Sequence, residues 1–151
     1  ASAGALASPA VAARLDGRVD AAVLIGGGCD ILFISERSSI ARKVLPIAWG
    51  PRTSYLDGAR LDPLYRERTK LDPLVLARRM GGIPVLNMYA TADSLVPTSA
   101  SQELQERLGD PDRVTYTGGH MLMFLLLRED SSVLARWIEG HLRGADGRAG
   151  G

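Results

Sequence analysis

Cysteine is nearly absent. Cys29 is the only one in 151 residues, so the chain cannot close a disulfide on itself. That usage fits a reducing, cytoplasmic setting. Histidine is scarce too: His120 and His141 stand alone, no H-E-x-x-H occurs, and one cysteine with two distant histidines gives no zinc pattern. Neither a metal nor a cofactor is therefore expected. Basic blocks are also missing, because 18 Lys and Arg against 17 Asp and Glu leave a formal net charge of +1. Nothing in that balance tracks a phosphate backbone, so nucleic acid is not an expected partner. The glycine run in "GGGCDI" fails G-x-G-x-x-G because Ile31 stands where the last glycine belongs, and there is no G-K-[ST]. No apolar run approaches the ~20 residues that a bilayer span requires. "ALASPAVAARL" has no charged region ahead of it, which argues against a secretory signal.

What the chain does have is apolar residues, 46% of its composition, enough for one domain with a core. Small residues from Ala3 to Leu15, with Arg14 near the end and Gly17 just past it, predict a helix that can lie close to a sheet. "VDAAVLIGGG" (Val19 to Gly28) is a short apolar run closed by glycines, the pattern of a strand buried on both faces. "IPVLNMYATAD" (Ile83 to Asp93) repeats it, and "DRVTYTGGH" (Asp112 to His120) does so more weakly. Ser99 and Gln102 have capping-box spacing ahead of Leu104 and Leu108, and Gly109 stops that helix. Leu134, Trp137, Ile138 and Leu142 share one face of a last helix. Strands alternating with helices predict an α/β fold with three parallel strands and right-handed crossovers. Residues 29–80 are too long for a simple crossover and read as short helices over one end of the sheet, a candidate lid. "LDP" at Leu61 and again at Leu71 reads as two helix starts, and residues 144–151 as a disordered tail.

Serine-based acyl transfer needs a hydroxyl, an imidazole to take its proton and a carboxylate to orient the imidazole. Ser2 precedes the first helix, Asp93 ends the second strand, and His120 follows the third through two glycines. All three fall where strands of a parallel sheet end, the edge at which such sheets place their sites. Each has a plainer reading. A serine ahead of a helix is more often its N-cap, and Asp93 can simply serve the donors of its own loop. Asp30, after the first strand, is an alternative acid. His141 sits on the last amphipathic helix, where surface or packing is the simpler role. "MLMFLLL" (Met121 to Leu127) reads as core, though its start adjoins His120.

"SAG" opening a small-residue helix, "YATADSLVP" after a strand and "TGGH" after the next, in that order, resemble the nucleophile turn, acid loop and histidine loop of the α/β-hydrolase superfamily. The likeness runs from Ser2 to about Leu142. It implies that the three strands are the sixth to eighth of the family sheet and that the chain is a carboxyl-terminal half whose first half is missing. The family's glycine two positions before the serine would fall ahead of Ala1. The resemblance further implies Ser2 as nucleophile, His120 as base, Asp93 as acid and the Ala3 N–H as half of an oxyanion hole. "DSLVP" leading straight into a helix favours Asp93 over Asp30. Phe33, Trp49, Tyr55 and Met121 are the candidate pocket residues. A small-molecule carboxylic ester is the expected substrate. A peptidase, a dienelactone-type hydrolase or a non-catalytic hydrolase-like binding module are the alternatives. With half the oxyanion hole ahead of Ala1, the chain alone is expected to turn over no ester.

Overall fold

Val85–Ala90 is the strand around which the molecule is arranged, and all six of its residues are buried. The computed structural model describes residues 1–15, 17–40 and 58–146. Numbered in chain order, β2 is this central strand, with β1 (Ala22–Ile25) on one side and β3 (Asp112–Tyr116) on the other. Both neighbours run parallel to it, with Leu24 opposite Asn87 and Val114 opposite Met88. The expected α/β class with three parallel strands is the one observed. The strands are shorter than the apolar runs suggested: Gly26 ends β1 in a left-handed turn, and Pro84 precedes the first residue of β2.

Parallel strands need long connections, and these join the first helix in covering one face of the sheet, while the helices after the last strand cover the other. Helix α1 (Ala3–Leu15) precedes β1 and spans the stretch read from its small residues. Between β1 and β2 come α2 (Ile31–Arg37), α3 (Gly58–Arg68), α4 (Pro73–Leu76) and a 3-10 turn, Ala77–Met80. Helix α5 (Thr98–Arg107) joins β2 to β3, and α6 (His120–Leu126) and α7 (Ser131–Asp146) follow β3. Strand alternation then sorts the core into two halves. Leu24 and Val85 pack with Ala5, Ala12, Leu74, Met80 and Leu104 on the side of α1, α4 and α5. Leu86 and Met88 pack with Met123, Phe124, Leu134 and Trp137 on the side of α6 and α7. An apolar groove of about 430 Å³ runs between α1 and β1, bordered by Ala7, Val11, Val19 and Val23. Among the described residues no strand pairs with the outer edge of β1.

Local details differ from the sequence reading in three places. Helix α5 begins at Thr98 with Pro97 as its N-cap, so the Ser99–Gln102 spacing does not mark its start. Pro63 lies inside α3, and only the second "LDP" opens a helix, with Asp72 as its cap. Helix α7 runs through Asp146, so residues 144–146, read as tail, extend it instead. Of the candidate pocket residues, Trp49 and Tyr55 lie outside the described residues.

Asp72 does more than cap α4. Its carboxylate, 1% exposed as a residue, accepts the backbone N–H groups of Asp30 (2.9 Å), Ile31 (2.6 Å) and Leu74 (2.7 Å) together with the Tyr65 hydroxyl. It thereby fastens α3 and α4 to the turn that follows β1. Burial, reinforced by the Asp72 carboxylate, pushes the Tyr65 hydroxyl well above its ordinary pKa, so this donor keeps its proton. Asp72→Asn replaces one acceptor oxygen with a donor among donors and should lower unfolding free energy by about 2–4 kcal/mol in urea titration. Leu71→Ala, at a side chain 54% exposed next to it, should cost less than about 1 kcal/mol.

Candidate active site

Ser2 stands at the mouth of α1 in a left-handed conformation, φ +48°, which costs a non-glycine residue on the order of 1–3 kcal/mol. Hydrogen bonds on both sides hold it there. Its N–H donates to the Ile25 carbonyl at 2.6 Å, and its own carbonyl accepts from Ala5 (2.8 Å) and Leu6 (3.1 Å) as α1 begins. The forced turn directs the hydroxyl to 3.0 Å from Nε2 of His120.

His120 is the first residue of α6, delivered by the extended Gly119, and its side chain is 5% exposed. The other ring nitrogen, Nδ1, lies 2.6 Å from Oδ2 of Asp93, whose side chain is 1% exposed. A carboxylate there accepts, so Nδ1 carries the proton and Nε2 presents its lone pair to the Ser2 hydroxyl. Phe124, one helical turn on, meets the imidazole edge-on with centroids 5.1 Å apart.

The Asp93 carboxylate divides its work between its two oxygens. Oδ1 accepts the N–H groups of Leu95 (2.8 Å) and Val96 (2.9 Å), which closes a tight loop, while Oδ2 is left to the histidine. Thr98 braces the same loop: its hydroxyl donates to the Ala90 carbonyl at 3.1 Å and accepts the Asp93 N–H at 3.3 Å. Sequence reasoning missed Thr98. Its one signal was a hydroxyl beside a proline at a helix start, one residue ahead of the Ser99 that was assigned to the cap.

Ala3, next to Ser2, contributes a backbone N–H that meets no acceptor among the described residues. It is one of the unpaired donors at the positive end of a 13-residue helix. A developing negative charge beside Ser2 would find it.

The comparisons with known proteins are distant. A puromycin-hydrolyzing peptidase of Mycobacterium tuberculosis is similar over 66% of this chain and 15% of its own, at 21% identity and a TM-score of 0.46. A mutant of puromycin hydrolase complexed with PGG is similar over the same 66% and 15%, at 18% identity and a TM-score of 0.44. The chain thus spans about 15% of the length of these proteins. No family model matches the sequence, and no curated protein does.

The remaining candidates take no part in the Ser2–His120–Asp93 contacts. Asp30 caps α2 by accepting the Phe33 N–H at 3.0 Å and pairs with Arg66 at 2.6 Å, a network separate from the Asp93–His120 contact. His141 donates from Nδ1 to the Trp137 carbonyl at 2.8 Å and stacks on the Trp137 ring, which in turn donates to Asp112. Phe33 is half-buried against Ile34, Val96 and Ala100 with Arg37 over its ring, while Met121, beside His120, is 67% exposed.

Cys29 is no competing nucleophile. Burial, with a smaller contribution from the negative charge of Glu103, pushes its thiol far above the ordinary range. At pH 8 the native protein should therefore be inert to a thiol-disulfide reagent and react stoichiometrically once unfolded in urea. Fast reaction of the folded chain would contradict the buried placement of Cys29.

Proposed function

We propose that this chain carries the nucleophile, base and acid of a serine hydrolase that cleaves carboxylic esters, built on part of an α/β-hydrolase arrangement. One observation carries the reading: the Ser2 hydroxyl, both nitrogens of His120 and the Asp93 carboxylate form a continuous relay at 3.0 and 2.6 Å. The strained turn at Ser2 supports it, since a mere helix cap needs no left-handed backbone.

In this mechanism the Ser2 oxygen attacks the acyl carbonyl as His120 Nε2 takes the hydroxyl proton. Asp93 holds the imidazole tautomer and balances the imidazolium charge. The Ala3 N–H donates to the oxyanion of the tetrahedral intermediate. His120 then passes its proton to the departing alkoxide, leaving an ester on Ser2. Water enters by the same route in reverse, giving up a proton to His120 and releasing the acid. An ester asks least of this arrangement, because an alcohol leaves more readily than an amine and one oxyanion donor is identified. Met121, exposed beside the base, and Phe33 are assigned to the acyl pocket.

A fluorophosphonate reports directly on the nucleophile. Peptide mass analysis should place the adduct on Ser2, and Ser2→Ala should abolish it. Asp93→Asn keeps an oxygen for the Leu95 and Val96 N–H groups but imposes the wrong tautomer, so labelling should slow by up to about 10⁴-fold. Asp30→Asn should slow it far less; if that change cripples labelling instead, the acid has been misassigned. A folded chain that never labels would favour a non-catalytic binding module. Faster acylation by activated amides than by matched esters would point to a peptidase.

A further inference from the structure

Three consecutive glycines, Gly26 to Gly28, leave the end of β1 and pass between the elements that carry Ser2, His120 and Asp93. We propose that this run is a spacer in which each glycine sets the distance to one of those elements, a role that rests on the serine-hydrolase reading. Gly26 faces the base. A Cβ added there would lie 2.8 Å from His120 Cε1 and 2.9 Å from Met123 Cε. The methionine end can swing away. The imidazole cannot, since Cε1 sits between the two nitrogens and any retreat lengthens the bond to Ser2 or to Asp93.

Gly27 faces the nucleophile helix. Its added Cβ would fall 2.9 Å from Ala5 Cβ and 3.4 Å from the Ala5 backbone, and Ala5 N–H holds the Ser2 carbonyl at 2.8 Å. Gly28 faces the acid loop. A Cβ there would reach 2.8 Å from Val96 Cγ1 and 3.1 Å from Ala100 Cβ, and Val96 N–H is bonded to Asp93 Oδ1. Turn geometry explains only the first of the three, because Gly26 has φ +63° whereas Gly27 and Gly28 are not in the left-handed region.

The run itself is pinned. Gly26 N–H donates to the Met88 carbonyl (2.8 Å), the Ser101 hydroxyl donates to the Gly27 carbonyl (2.7 Å), and Cys29 N–H donates to the Ala100 carbonyl (3.1 Å). Added bulk must therefore displace the neighbouring element rather than the spacer. These glycines are positioning residues, acting on the reaction through what they touch.

Complementary substitution separates positioning from stability. In the full chain, Gly27→Ala should slow fluorophosphonate labelling of Ser2 at least about tenfold. Adding Ala5→Gly removes the opposing Cβ and should bring the rate back to within about threefold of the parent, although glycine inside α1 lowers the melting temperature. The proton shared between His120 Nδ1 and Asp93, followed by NMR, should be unmoved in Gly27→Ala and shifted or lost in Gly26→Ala. If Gly27→Ala does not fold, Gly28→Ala with and without Val96→Ala makes the same comparison. Parent-like labelling in the folded single variant, or no recovery in the folded double variant, would overturn the proposal. Should the parent never label, the serine-hydrolase reading falls by itself. The proton signal then judges the spacer alone, read at Gly28, whose backbone is not left-handed: its change in Gly28→Ala supports the role, and its persistence overturns it.

Discussion

A carboxylate taken out of water must have its lone pairs filled, and Asp93 meets that demand with two backbone donors on one oxygen and an imidazole on the other. The rest of the site follows from this one buried contact. Because Oδ1 is committed to Leu95 and Val96, the carboxylate cannot rotate, and so the imidazole plane is set. Because that plane is set, Nε2 points at one place, which the left-handed turn of Ser2 fills. Each step converts a burial penalty into direction, so the three side chains are ordered by the fold itself.

Much of this order is visible in the sequence. The small-residue composition of α1 predicted both its length and its close approach to the sheet, because alanine has no side chain to hold the layers apart. The buried strands announced themselves as apolar runs bounded by glycine. Ser2 was named from its place ahead of the first helix, Asp93 and His120 from theirs after strands, and His120 lies within hydrogen-bonding distance of both the others. Asp30 was a reasonable rival for the acid on the same grounds. Only three-dimensional placement separates them, since capping α2 and pairing with Arg66 leave no trace in spacing.

What stayed hidden involves partners remote in sequence or absent as side chains. The Thr98 hydroxyl joins Ala90 to Asp93 only once β2 has turned into α5, whereas the capping-box pattern one residue later looked complete by itself. Asp72 was legible as a helix start, yet two of its donors come from Asp30 and Ile31, about forty residues earlier. Glycines declare flexibility to a reader of sequence. Here two of the three in Gly26 to Gly28 are explained by crowding, which shows only when the neighbours Ala5 and Val96 are in place.

Two of the buried aspartates, Asp93 and Asp72, differ in the span of chain that each ties together. Asp93 closes a loop of three residues beside His120, so an insertion between Asp93 and Val96 would break the geometry at once. Asp72 gathers α3 and α4 onto the turn after β1 through hydrogen bonds donated by Asp30, Ile31, Tyr65 and Leu74. Asp72 joins residues from 30 to 74, so a change that loosens it separates whole helices from the sheet while the three-residue loop at Asp93 stays closed.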